Sequence, residues 1–236
     1  MLIVKGKKLK GKQVVSIIIP TYNEEKDIEE CIRTLLKQNY KDKEIIVVDD
    51  GSSDRTVEIV KKFKKVKLIK GEHKGTGFSR NLGARKAKGK ILVFVDADMA
   101  FPKNYLQLLV KPIINDEKVI GTAEETQIVT NYDNIWSRCL GRYISHPGLK
   151  ERIIFRAIRK NRFMEMGGFD PKYGYADDKT FWFKYKVKSV IAKNSKCYHK
   201  NPETLKELYN QSRWVGSSTD NKFLRASLTK DRKSVV

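Results

Sequence analysis

Short continuous apolar runs alternate with segments of helical apolar spacing through the first hundred residues, and that rhythm leaves few folds open. Residues 14 to 19 (VVSIII), ended by Pro20, precede Ile28, Cys31, Ile32, Leu35 and Leu36, which are spaced as one helix face over 24 to 38. A second strand, Glu44 to Val48, runs into a Gly- and Ser-marked turn where Asp54 is placed to cap a helix carrying Val57, Val60 and Phe63. Val66 to Ile69 is a third strand. A Gly-punctuated loop, 71 to 77, leads to a helix through about Ala87, and Ile91 to Val95 is the fourth strand. Strands without polar alternation, separated by helices, predict an α/β chain with a mostly parallel central sheet and helices on both faces. Ligands of such sheets bind beyond the carboxyl ends of the strands, where every acidic cluster of this half falls.

The second half is less regular. Pro102 suits the first turn of a helix that presents Leu106, Leu109, Val110 and Ile113. Residues 118 to 130 and 187 to 192 read as strands, and 134 to 144, 150 to 160 and 202 to 215 as helices. No repeat or low-complexity linker interrupts the chain, so a single domain over 1 to 236 is expected, with a basic tail from about 219 to 236.

Charge and composition narrow the function classes. No apolar stretch reaches membrane-spanning length and MLIVKGKKLKGK is too short in its apolar run for a signal peptide, so a cytoplasmic location is expected. Cys31, Cys139 and Cys197 have no paired spacing and read as reduced. The 49 Lys and Arg against 28 Asp and Glu, +21 net, would attract phosphates, nucleic acid or anionic lipid. A nucleic-acid-binding protein is the main rival class. Against it, aromatics do not interleave with the Lys clusters at 5 to 12 and 61 to 70, and the acidic strand ends repel phosphate unless a metal intervenes. The basic and apolar residues of 150 to 162 read as an amphipathic helix suited to peripheral contact with an anionic membrane, and the tail carries Lys222, Arg225, Lys230, Arg232 and Lys233.

The first strand leads into PTYNEE instead of G-x-G-x-x-G, and G-x-x-x-x-G-K-[ST] is absent, which excludes dinucleotide dehydrogenases and P-loop enzymes and weighs against a nucleotidyltransferase. Phosphate must be held in another way. Asp96 and Asp98 flank Ala97 directly after ILVFV and put two carboxylates on one side of an extended segment, which suits Mg²⁺ or Mn²⁺ bridging a diphosphate. One of Asp49 and Asp50 can face a base, while Tyr22 can pack on it and Glu24 can bind ribose. Asp177 and Asp178, before Phe181, Trp182 and Phe183, either cap a helix or supply a general base of raised pKa. The His199 imidazole could complete a metal shell.

Taken in order, PTYNEE, VVDDGSSD, GTGFSRNLGARKAKGKILVFVDADM, FMEMGGFD and YADDKTFW resemble the inverting family 2 glycosyltransferases of GT-A fold over roughly 14 to 218. The resemblance implies a nucleotide-binding half at about 14 to 100 and an acceptor-binding half at about 101 to 218. It implies that Pro20, Tyr22, Glu24 and Asp50 hold the nucleoside, that Arg80 and Gly83 lie near the donor, and that Asp98 ligates Mn²⁺ or Mg²⁺ with Asp96 as helper. Asp178 matches the catalytic base, beside Asp177. The implied reaction moves a sugar from a UDP- or GDP-linked donor to an acceptor hydroxyl or lipid phosphate on a glycan, a lipid-linked molecule or a protein. Three departures stand out. Asp177 replaces the usual Glu, Thr180 stands where an acidic residue is common, and Asn210 in NQSRW breaks the Q-x-x-R-W of processive synthases, which favours single addition. Arg213 to Ser218 is also similar to the R-x-x-G-x-S stretch of dolichol-phosphate sugar transferases, which points to Arg213 on the diphosphate, although Thr219 replaces Lys.

Overall fold

The computed structural model of the chain describes residues 14–139, 143–145 and 150–218; the 5 to 12 lysine cluster and the 219 to 236 tail lie outside them. The first half follows the sequence rhythm: β1 (Val15–Thr21), α1 (Ile28–Leu36), β2 (Lys43–Asp49), α2 (Thr56–Lys61), β3 (Val66–Lys70), α3 (Thr76–Lys86) and β4 (Ile91–Phe94). These strands pair in parallel in the order β3-β2-β1-β4. Alternate residues feed two cores. Ile17, Ile19, Ile45, Val47, Ile91 and Val93 pack with α1 and α2, whereas Ile18, Ile46, Val48, Leu92 and Phe94 pack on the α3 side. Because both faces are covered, the strands are apolar throughout, each buried branched side chain contributing roughly 1.5–3 kcal/mol. Gly83 sets the closeness of α3 to the sheet, since a Cβ there would stand 2.5 Å from Ile18 Cγ2. Gly83 is therefore a packing residue between α3 and the sheet.

The remaining elements are β5 (Met99–Ala100), α4 (Tyr105–Asn115), β6 (Gly121–Val129), α5 (Ile135–Arg138), β7 (Tyr143–Ser145), β8 (Glu151–Arg152), β9 (Ala157–Arg159), α6 (Lys160–Glu165), a kinked 3-10 segment (Pro171–Lys179), α7 (Thr180–Tyr185), β10 (Ser189–His199) and α8 (Leu205–Ser218). They extend the same sheet. β9 lies antiparallel between β4 and β6, β6 pairs in parallel with β10, and β5 pairs antiparallel with β10. One α/β domain with a mostly parallel, mixed sheet results.

One expected helix is not formed and another is cut short. Residues 150 to 160 hold β8 and β9, because the sheet needs a strand between β4 and β6 and that packing overrides the helical spacing of the arginines. Arg156 and Arg159 are buried. Arg159 donates to the carbonyl oxygens of Val119 (2.9 Å), Asp116 (3.0 Å) and Ile113, closing the C-terminal end of α4. The amphipathic helix expected for a lipid surface is therefore absent, and residues 155–159 of that segment face the protein interior. The helix expected over 134 to 144 is one turn, with Tyr143–Ser145 in a strand and residues 140–142 outside the described set. The strand expected at 187 to 192 continues to His199 through a bulge between Ala192 and Lys196. All three cysteines are free, and among the described residues no helix is long and apolar enough to cross a membrane.

Candidate active site

The loops after β1 and β2 are stitched together at the carboxyl edge of the sheet. Asn23, with a positive φ of 57°, accepts from Ser53 N (2.8 Å) and donates its own backbone N–H to Ser52 Oγ (2.9 Å). Glu24 N donates to Thr56 Oγ1 and Glu25 N to Asp54 Oδ2, so the two turns move as one piece. Pro20 is buried inside β1 opposite Val48, which gives it a backbone role. The Asp50 carboxylate accepts from Lys74 N (3.0 Å), Gly75 N (2.8 Å) and Ser79 Oγ (3.1 Å), and so fastens the loop before α3. Its carbonyl oxygen lies 2.9 Å from His73 Nδ1, and the His73 ring lies 4.6 Å from the half-exposed Tyr22 ring. Tyr22 and His73 thus form an aromatic edge beside Asp50. Sequence reading missed His73, which sits in a loop without helical or strand periodicity.

At the end of β4 the two carboxylates of D-x-D diverge. Asp96 Oδ1 accepts from Arg80 Nη2 (2.7 Å) and Asp96 Oδ2 faces Arg156 Nη1 (3.5 Å). Burial works against the Asp96 carboxylate, but Arg80 and Arg156 outweigh it and hold its pKa below the ordinary carboxylate value. Asp98 has the reverse balance: burial first, then the charges of Asp96 and Asp27, push it up to about 7. Glu24, facing the same group, is pushed up to about 8 by burial and then by Asp98 and Asp27.

The second half delivers its carboxylates to the same place. Arg80 Nη1 reaches Asp177 Oδ1 at 2.5 Å, so one guanidinium joins the end of β4 to the 3-10 segment. Asn81 clamps the Gly167-Gly168-Phe169 turn, accepting from Phe169 N (2.9 Å) and donating to Phe169 O (2.7 Å). Thr180 Oγ1 accepts from Asp170 N and donates to Asp177 O, which accounts for a hydroxyl where an acid was expected. Asp177 is buried and Asp178 half-buried. Burial raises both, Asp177 to about 6 despite Arg80, and Asp178 above the usual carboxylate value against Arg80 and Lys179. Arg213 lies on the exposed side of α8 with its guanidinium 5.8 Å from the Tyr209 ring, while its neighbour Trp214 packs edge-on against Tyr175, three residues from Asp178.

A cavity of about 450 Å³ adjoins D-x-D, lined by Asp98, Asp27, Glu30, Asn131, His199 and Lys200 among others. Residues 16–171, well over half the chain, match the family model for Glycosyl transferase family 2. The chain belongs to glycosyl transferase family 2. Among its relatives, glycosyltransferase GlyA of Streptococcus pneumoniae is 35% identical over 104 residues, covering 42% of this chain and 15% of that protein. Glycosyltransferase GlyG of the same organism is 35% identical over 106 residues, 43% of this chain and 35% of its own length. The chain thus spans a minor part of these curated relatives. Staphylococcus aureus TarS 1-349 in complex with UDP-GlcNAc superposes with a TM-score of 0.66 at 23% identity, covering 88% of this chain and 66% of that one. Mannosyltransferase PcManGT from Pyrobaculum calidifontis, in complex with GDP-Man and Mn²⁺, gives 0.65 at 22%, covering 89% and 63%. The shared fold is the GT-A fold.

A divalent ion in this family 2 chain would find a partial ligand set. Among the described residues no three His, Cys, Asp or Glu side chains are grouped to hold an ion, so the expected trio of Asp96, Asp98 and His199 is not assembled. The reason is Asp96, whose two oxygens are turned to Arg80 and Arg156. Asp98 and His199 do share the cavity, and His199 Nε2 is a buried nitrogen without a hydrogen-bond partner. Burial lowers the His199 pKa, which favours the neutral imidazole that ligates metals. A carboxylate oxygen with an imidazole nitrogen fits Mn²⁺ better than the oxygen-seeking Mg²⁺, with the remaining positions left for water and phosphate oxygens.

Two further residues escaped sequence reading. Glu124 lies fully buried in β6 and Arg156 enters from the chain before β9; a pair of acids within a strand-like run and an arginine among Ile154, Phe155, Ala157 and Ile158 were the available signals.

Proposed function

We propose that the chain transfers a sugar from a nucleoside diphosphate sugar to an acceptor hydroxyl or lipid phosphate in a single displacement with inversion at the anomeric carbon. The observation that carries this reading is the Arg80 bridge, which holds the D-x-D end of β4 and the Asp177-Asp178 segment on one face of the sheet. Tyr22 and His73 offer a stacking edge to a base, and Glu24 in the loop after β1 offers its carboxyl group to a ribose hydroxyl. Asp98 and His199 would hold Mn²⁺ or Mg²⁺, whose chemistry is to draw off negative charge from the departing diphosphate. Asp178, with its raised pKa, accepts the proton of the attacking hydroxyl as that oxygen approaches the anomeric carbon. Arg80 tempers the charge gathered on Asp177 and, through its positive charge, favours the ionised form of Asp178. Asp96 acts as the anchor of Arg80 in this scheme. The UDP-GlcNAc of the TarS complex and the GDP-Man of the PcManGT complex support a nucleotide-sugar donor.

Asp178→Asn removes the base and leaves the nucleotide edge intact. We expect release of nucleoside diphosphate from UDP-GlcNAc or GDP-Man to fall by about 10²–10⁴-fold while calorimetric nucleotide affinity is unchanged. Turnover retained in that variant would take the base role from Asp178.

A further inference from the structure

Behind Asp96 a line of alternating charges runs through the protein interior. Glu124 in β6 is fully buried and accepts from Arg156 through Nε (3.1 Å) and Nη2 (3.4 Å), with Arg152 Nη1 at 3.4 Å closing the far end. Arg156, its side chain 10% exposed, also donates to Phe94 O at 3.1 Å and faces Asp96 at 3.5 Å. Asp96 accepts from Arg80, and Arg80, 11% exposed, ends on Asp177, 2% exposed. The sequence Glu124, Arg156, Asp96, Arg80, Asp177 therefore connects β6, the chain before β9, the end of β4, α3 and the 3-10 segment in one chain of charge-assisted contacts.

The far end of this line sits on a segment of irregular backbone. The 3-10 segment is kinked, with non-helical backbone at Gly174 (φ 51°) and Ala176. Its side-chain ties to the rest of the protein include the Arg80–Asp177 pair and the Thr180 bonds. A buried ionic group is seldom a net source of stability, since apolar replacement of a whole pair is often neutral. What it fixes is direction: Arg156 spans Glu124 and Asp96 with its planar fork, which sets how Asp96 presents itself to Arg80.

We infer that Glu124 and Arg156 are positioning residues, which act through Asp96 and Arg80 to hold the segment carrying Asp177 and Asp178 in place. Neither touches the acceptor or the donor in this scheme. The kinetic consequence rests on the reading of Asp178 as the base, whereas the structural one does not.

The test uses the whole chain and two variants. Glu124→Gln with Arg156→Met removes both charges of the pair together, with Asp96 still held by Arg80, while Arg156→Lys keeps a charge but cannot bridge both carboxylates. Amide hydrogen exchange of peptides covering 171–179 should quicken by about tenfold in the double variant, and by less in Arg156→Lys, with β1 and β2 unchanged. With Mn²⁺ and UDP-GlcNAc or GDP-Man as probe, kcat for nucleoside diphosphate release should fall by about tenfold while donor KM stays within about threefold. Unaltered exchange over 171–179 in either folded variant overturns the inference, as does a raised KM with kcat intact. A wild-type chain that releases no nucleoside diphosphate would instead fault the proposed function, and the exchange comparison would still decide the role of Glu124 and Arg156.

Discussion

Asp96 and Asp98 stand two residues apart and carry opposite electrostatics, because guanidinium groups reach one and not the other. Arg80 and Arg156 keep Asp96 ionised against burial, and after burial itself that fixed charge does most to raise Asp98. Glu24 shows the same logic with a measurable result. Its folded-state pKa of about 8 lies above the unfolded value near 4.5, so the native state binds the extra proton in between. The stability linked to Glu24 is complete below about pH 4.5 and is lost as pH rises through about 8. Glu24→Gln should therefore flatten the fall in metal-free Tm between pH 5 and pH 8, read by calorimetry, and raise stability at pH 8 by a few kcal/mol, on the order of one to three. An undiminished fall in the variant would assign the pH dependence to other groups.

At the scale of elements, α3 is the joint between the halves of the chain. Over two turns it sends Ser79 to Asp50, Arg80 to Asp96 and Asp177, Asn81 to the Phe169 backbone, and lays Gly83 on Ile18. One stretch, S-R-N-x-G, thus holds the end of β2, the D-x-D end of β4 and the turn before the 3-10 segment. Asn81→Ala leaves the Phe169 N–H and C=O without their partner and should cost about 1–3 kcal/mol in urea unfolding, with m unchanged. A change below about 0.5 kcal/mol would mean that the turn finds other partners. The elements of the second half are shorter, and their identity follows from neighbours. β9 is three residues long and is a strand because β4 and β6 flank it.

For the whole molecule, one sheet brings the end of β4, the 3-10 segment and the end of β10 to a common edge, although almost half the chain separates Asp98 from His199. A ligand bound by that edge in the folded state alone must stabilise the entire domain. UDP or GDP with Mn²⁺ should raise Tm in a concentration-dependent way, worth about 2.7 kcal/mol at a hundred times Kd. Asp98→Ala should keep the fold and lose the Mn²⁺-dependent part of the rise. A Mn²⁺ response of undiminished size in that variant would move the metal elsewhere.

The sequence determined the parallel half, because strands buried on both faces must be continuously apolar and their helices amphipathic, and both patterns are local. It also marked Asp50, Asp98 and Asp178 as candidates, since each follows a strand end or opens a turn that short motifs mark. Only the tertiary structure decided which way the charges face. Arg156 and Arg159 have the spacing of a solvated helix face and are buried instead, because the sheet had a gap that their segment fills. His199 reaches Asp98 through a strand lengthened past a bulge, and Glu124 meets Arg156 across 32 residues of sequence. Pairings of that kind are set by sheet order and register, quantities that no window along the chain contains.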